Sequence, residues 1–233
     1  SLNFKLTSAS VGASGATIYY CKDTANTCNP STSVATDTSI TAYNTLEGIY
    51  YIRYKITSGA GYTSSTGSYT AKVDLTAPTF SVSGNPTAWT KNDVTLTINA
   101  TDSGSGLNAT AYSFDNGATW QAGNTKTYSS NQTVNIKVRD AVGNVSSAKS
   151  VVIDKIDKSA PTCTNSGDST SWTNSNRTIN YGCSDTGGSG CNSSYSGGSK
   201  TFSTSTKTST IASYTIKDNA GNTVTCSSRT ANV

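Results

Sequence analysis

The chain has 233 residues, of which 33% are hydrophobic and 13% charged, with a net charge of +4, six cysteines, a single glutamate, and neither histidine nor methionine. Without imidazole, Ser-His-Asp hydrolysis, histidine acid–base catalysis and most zinc or copper sites are excluded, and the sparse cations form no basic cluster of the kind nucleic acid requires. Val, Ile, Leu and Phe make up about 15% of the chain, low enough to suggest disorder, but thirteen Tyr, abundant Thr and a low net charge favour short strands joined by Gly, Asn, Asp and Ser turns.

From the N-terminus, Leu2, Phe4 and Leu6 alternate with polar residues, as a strand with one buried face requires. Ala16-Thr17-Ile18-Tyr19-Tyr20 and Tyr50-Tyr51-Ile52-Arg53-Tyr54 follow as strands whose alternation sends part of the tyrosines into a core, with the Cys21 to Leu46 stretch as an insertion between them. Val94-Thr95-Leu96-Thr97-Ile98 and Val134-Asn135-Ile136-Lys137-Val138 show the same period of two, and Thr178-Ile179-Asn180-Tyr181 and Tyr214-Thr215-Ile216 repeat it. No segment has a helical period, and no apolar run approaches the roughly 18 residues of a membrane span.

Internal repetition organises these strands. Thr76-Ala77-Pro78-Thr79, Trp89-Thr90 and Asp102 recur as Ser159-Ala160-Pro161-Thr162, Trp172-Thr173 and Asp185, a shift of 83 residues. Arg139-Asp140-Ala141-Val142-Gly143-Asn144 returns as Lys217-Asp218-Asn219-Ala220-Gly221-Asn222, and Tyr54 to Tyr62 aligns with Ile136 to Asn144 as a more diverged copy that lacks a first strand. Three all-β modules are therefore expected, at 1–75, 76–157 and 158–233, each an antiparallel sandwich. A chain without methionine reads as a piece of a longer polypeptide.

Modules this small bury too little surface to be stable without help, and the cysteines offer it. Cys21 and Cys28 are close enough for a local staple. Cys183 and Cys191 flank the loop at Asp185, while Cys163 in the first strand and Cys226 in the last strand of the third module make the other expected pair. Four cysteines in one module allow three connectivities. In the second module the equivalent of the last pair is apolar, Phe80 with Ala148. An even cysteine count without metal-type spacing favours an oxidising, extracellular setting.

The Asp74 to Thr79 segment (D-x-T-A-P-T), the Trp89 to Thr97 strand, Asp102-Ser103-Gly104-Ser105-Gly106 and the Asp218 to Asn222 hairpin resemble the tandem immunoglobulin-like modules of bacterial cell-surface proteins. The resemblance implies tandem immunoglobulin-like β-sandwiches in an elongated arrangement, on a bacterial surface or secreted. It also implies a non-enzymatic, monomeric stalk or spacer whose partners are other domains of the same polypeptide, without nucleic acid or membrane insertion. The alternative is a module that binds carbohydrate or a host protein, as an accessory to a secreted glycosidase.

Three groups of residues invite a chemical role. Ser113 to Trp120 matches the Asp-box of sialidases, but Asp115 capping a turn at Asn116-Gly117 accounts for it as a hairpin. Asp140 and Asp218 cap equivalent turns, with Gly143 and Gly221 supplying positive φ. In an immunoglobulin-like sandwich these hairpins lie at the end where the chain enters, so Asp74, Asp102 and Asp140, and Asp154 or Asp157 with Asp185 and Asp218, are candidates for Ca²⁺ at the module junctions; no other cofactor is expected. Trp89 and Trp172, at the same place in two repeats, are either plugs on the core or platforms for a sugar ring.

Overall fold

The computed structural model describes residues 3–5, 16–34, 39–41, 47–204 and 208–233, and its regular structure is nineteen β-strands and one 3-10 turn, Ser193–Tyr195. Ten strand pairs run antiparallel, and isolated parallel bridges join Thr90 to Ile156 and Ser169 to Ala231. The chain divides into two compact units: Ser1–Pro78 with Thr101–Asn108 and Arg139–Val145, and Thr79–Ala100 with Ala109–Val138 and Ser146–Val233. This division differs from the repeat boundaries 1–75, 76–157 and 158–233 because Asp74 hydrogen-bonds the loops at 105 and 144, which then group with the N-terminal strands.

In the first unit, β2 (Thr17–Asp23), β3 (Thr32–Val34), β5 (Gly48–Thr57) and β6 (Gly67–Val73) form a sheet in the order β3-β2-β5-β6, and β1 (Asn3–Lys5) pairs with β4 (Ser39–Thr41). Alternation along Gly48–Thr57 buries Tyr50 and Ile52, which pack with Ala71 and Val73. A fully buried isoleucine contributes about 1.5–3 kcal/mol. The Cys21–Cys28 disulfide adds to this, closing a loop whose Asp23 carboxylate accepts from the amides of Asn26, Thr27 and Cys28. Leu2, Leu6 and the 35–38 and 42–46 parts of the Cys21 to Leu46 insertion lie outside the described residues.

The second unit carries β7 (Thr79–Ser83), β8 (Val94–Thr101), β9 (Leu107–Ser113), β10 (Thr125–Tyr128), β11 (Gln132–Asp140) and β12 (Lys149–Ile153), in sheets ordered β10-β8-β7 and β12-β11-β9. Val94, Leu96 and Ile98 from one sheet and Val134, Ile136, Val138 and Ile153 from the other are all buried, the sandwich core that the period of two anticipates. Thr95 and Thr127 face the other way and share a hydrogen bond of 2.8 Å.

The remaining strands are β13 (Thr162–Ser166), β14 (Arg177–Ser184), β15 (Gly197–Phe202), β16 (Thr208–Ile211), β17 (Tyr214–Lys217), β18 (Thr223–Cys226) and β19 (Arg229–Asn232), in sheets β13-β14-β15, β16-β19 and β17-β18. Cys163 on β13 bonds Cys226 on β18, and Cys183 bonds Cys191. Cys226 is not in the last strand, since β19 follows it, and β13 pairs with β14 rather than with the strand that carries Cys226. The bridge thus links two separate sheets. In the middle repeat Ala148 is exposed, so it does not form the apolar substitute anticipated with Phe80.

Candidate metal centre

Two groups of three aspartates emerge from the repeat. Asp74 follows β6, Asp102 follows β8 and Asp140 ends β11; Asp157, Asp185 after β14 and Asp218 after β17 occupy the equivalent places. Within each group one carboxylate oxygen per residue lies within 4.8 Å of the others. Asp140 and Asp218 are fully buried and Asp157 is buried; the other three are half-buried. Asp154 does not join the second group. It is exposed and 3.8 Å from Lys155.

The hairpin aspartates are built in by their turns. Asp140 Oδ1 accepts from the amides of Val142, Gly143 and Asn144, and Asp218 Oδ1 from those of Gly221 and Asn222. Gly143 and Gly221 have φ of 101° and 96°, the left-handed region that a Cβ disfavours. The asparagine closing each hairpin does more than turn the chain. Asn144 Nδ2 donates to Asp140 Oδ2 and to the Asp74 carbonyl, and Asn222 Nδ2 to Asp218 Oδ2 and the Asp157 carbonyl at 2.9 Å. Each hairpin therefore clasps the connecting segment.

The connecting aspartates are held by the adjoining loops. Asp74 accepts from the Ser105 amide at 2.5 Å and the Thr76 amide at 3.1 Å; Asp157 accepts from the Ser189 amide at 2.7 Å and the Ser159 amide at 3.0 Å. The Ser105 hydroxyl and amide beside Asp74 hold its carboxyl below the usual range. Burial opposes ionisation of Asp157, but the Ser189 amide and hydroxyl and the Ser159 amide outweigh it and hold this carboxyl low as well. Such groups are carboxylates at neutral pH and not general acids. Asp102 and Asp185 are bound least, each by one amide, Gly106 and Gly190, both at 2.7 Å. Glycine is required where the carboxylates converge: a Cβ on Gly104 would come within 2.4 Å of Asp74 Cγ, and one on Gly188 within 2.6 Å of Asp157 Oδ2 and 2.8 Å of Asp185 Oδ1.

In the second unit the segment before Asp157 is fixed by main-chain bonds. Thr90 donates to the Lys155 carbonyl and accepts from the Asp157 amide, both at 2.9 Å, and the Asn131 side chain donates to and accepts from Ile156. Lys155 lies over the Trp89 ring, with Nζ 5.0 Å from its centre. Trp89 is half-buried beneath it, as a plug would be; Trp172 is 66% exposed.

The Asp-box segment is a hairpin, with Asn116 and Gly117 at φ of 63° and 93°. Asp115 accepts from the Ser113 hydroxyl at 2.7 Å and the Thr119 amide at 2.9 Å, and the Thr119 hydroxyl also donates to it. Hydrogen bonds from the Thr119 hydroxyl and amide and from Ser113 hold its carboxyl down to about 2. Sequence reasoning marked the aspartates but gave no role to Asn144, Asn222, Ser105 or Ser189. The asparagines were visible as the fixed last residue of each D-x-x-x-N hairpin; the main-chain amides of the two serines are revealed by no side-chain pattern.

No protein-family profile matches the chain, and no curated protein gives a significant sequence match. Solved structures give distant similarities. An amphioxus IgVJ-C2 molecule is 17% identical over 65% of this chain and 94% of its own, with a TM-score of 0.30. The Bacteroides ovatus mixed-linkage glucan utilization locus protein SGBP-B, solved with a mixed-linkage heptasaccharide, is 17% identical over the whole of this chain and 63% of its own, with a TM-score of 0.21. Both scores are too low to assign an activity to this chain.

Proposed function

We propose that the chain is a non-enzymatic extracellular spacer of tandem immunoglobulin-like modules whose junctions are locked by Ca²⁺ at Asp74, Asp102 and Asp140 and at Asp157, Asp185 and Asp218. The observation that carries this reading is that each connecting segment surrenders both a carbonyl and a carboxylate to the loops around its triad, through Asn144 and Ser105 at Asp74 and through Asn222 and Ser189 at Asp157. A spacer must resist bending at its linkers, and a ligand shared by linker and loops does that.

Calcium fits the donor set. The donors are all oxygens, which suits a hard cation, and Ca–O distances of about 2.3–2.6 Å put two ligands of one ion at most about 5 Å apart, compatible with oxygens that lie within 4.8 Å. Ca²⁺ would offset two of the three negative charges of each triad, and backbone carbonyls and water would complete its shell. Three disulfides support an oxidising location, and among the described residues no helix is long and apolar enough to cross a membrane. Calorimetric titration of chelator-treated chain should give two Ca²⁺ per chain and far weaker Mg²⁺ binding. A flat titration at millimolar Ca²⁺ would discard the calcium lock.

A second reading, binding of a carbohydrate, is favoured by one observation, the open indole of Trp172.

A further inference from the structure

Trp89 and Trp172 occupy the same place in two repeats but have different neighbours. Lys155 covers the Trp89 ring, whereas no described side chain stacks on Trp172, which is 66% exposed. The strand that follows also begins differently. The middle repeat has Val94, 4% exposed; the last repeat has Arg177, half-buried. Arg177 Nη2 donates at 3.4 Å to the carbonyl of Ser171, the residue before Trp172. The other arginine of this repeat, Arg229, is ion-paired with Asp168 at 3.7 Å, which leaves Arg177 as the cation at this loop without a described ion pair.

The loop itself is tied down. The Ser169 amide donates to the Thr230 carbonyl at 3.2 Å, and Asn232 Nδ2 donates to the Thr170 carbonyl at 2.6 Å. The exposed indole thus projects from a fixed backbone rather than from a free tip. A plug reading accounts for Trp89 and leaves the exposure of Trp172 unexplained. Placing a guanidinium where the sister repeat has a buried valine also costs desolvation with no compensating ion pair described at Arg177.

We propose that this corner of the last repeat binds a carboxylated saccharide. The indole face offers stacking for the C–H face of a sugar ring, and a guanidinium pairs a carboxylate through two parallel hydrogen bonds. Uronic acids and sialic acids share this chemistry. The inference rests on the carbohydrate-binding reading and is independent of the calcium lock.

The test is calorimetric titration of the full chain with oligogalacturonate, with sialyllactose and with a neutral cello-oligosaccharide. One acidic sugar should bind at least tenfold tighter than the neutral one, with the two acidic arms separating uronic from sialic recognition. Trp172→Ala should abolish binding. Arg177→Val, which installs the residue the middle repeat already accommodates, should weaken the acidic sugar at least tenfold while leaving the far-UV spectrum and the Ca²⁺ titration unchanged. Equal affinity for the neutral sugar would overturn the acidic specificity and spare the binding reading. Absence of binding in all three arms would overturn both, and acidic-sugar binding that survives Trp172→Ala would overturn the site.

Discussion

Asp185→Asn separates a turn cap from a metal ligand better than any other single change. Asp185 accepts one described hydrogen bond, from the Gly190 amide at 2.7 Å to Oδ2, and an asparagine oxygen can still accept it. Without calcium the cost should be no more than about 1 kcal/mol, the net value of an ordinary hydrogen bond. With calcium the variant should behave differently, because one of the three carboxylates of the triad is gone. Extracellular calcium sites bind at about 10⁻⁴–10⁻³ M, so 10 mM Ca²⁺ stabilises an intact site by about 1.4–2.7 kcal/mol through mass action. For a chain of this size each kcal/mol moves Tm by about 2–4 °C, which gives a rise of about 3–11 °C per occupied site between EDTA and 10 mM CaCl2. Scanning calorimetry of wild type and Asp185→Asn in both buffers reads this directly. The variant should lose the part of the rise that belongs to the second unit and keep the part from Asp74, Asp102 and Asp140. If the variant keeps the whole rise, or wild type shows none, the triads are turn caps and nothing more.

Other perturbations address the scaffold. Replacing Cys163 and Cys226 by alanine opens a loop of separation 63 and should cost about 4 kcal/mol, against about 2.5 kcal/mol for the Cys183–Cys191 pair with separation 8, as read from urea midpoints; the reverse order would contradict the loop-closure account. Gly167→Ala should cost about 1–3 kcal/mol in the same assay, since φ is 84° and the new Cβ would lie 2.0 Å from the Thr178 carbonyl oxygen. Asp115 should make stability fall at low pH. Its folded pKa, about 2, lies below an unfolded value of about 3.9, so its contribution is complete above about pH 4 and disappears as pH falls toward 2. Acid unfolding of Asp115→Asn should lack that component, and identical acid profiles for the two proteins would refute it.

What the sequence revealed and what it hid divide along a physical line. Alternation made the buried faces of β8 and β11 readable from Val94 to Ile98 and from Val134 to Val138, because burial on one face of a strand leaves a mark every second residue. Cysteines flanking a loop made Cys183–Cys191 readable for a similar reason, local spacing. The choice between Asp154 and Asp157 was not readable. It depends on the Thr90 main chain pairing with Ile156, which fixes which residue of the linker turns toward the loops at 189 and 222. The two compact units were hidden too, since the bonds from Asp74 to residues 105 and 144 run between segments that the repeat assigns to different modules.

The same distinction changes how the hairpin aspartates are weighed. From sequence, turn capping and metal binding compete, because a carboxylate explained by its turn needs no ion. In the structure the turn amides are all taken by one oxygen. Asp140 Oδ1 takes three main-chain amides and Asp218 Oδ1 takes two, which satisfies the turn, while Oδ2 in each takes the asparagine side chain alone. A carboxylate has about four lone-pair directions, so Oδ2 retains one for a further ligand. The asparagine that occupies its neighbour also grips the linker carbonyl, so an ion drawn to Oδ2 would meet a linker already held in place. Capping the turn would thus position a ligand instead of excluding it.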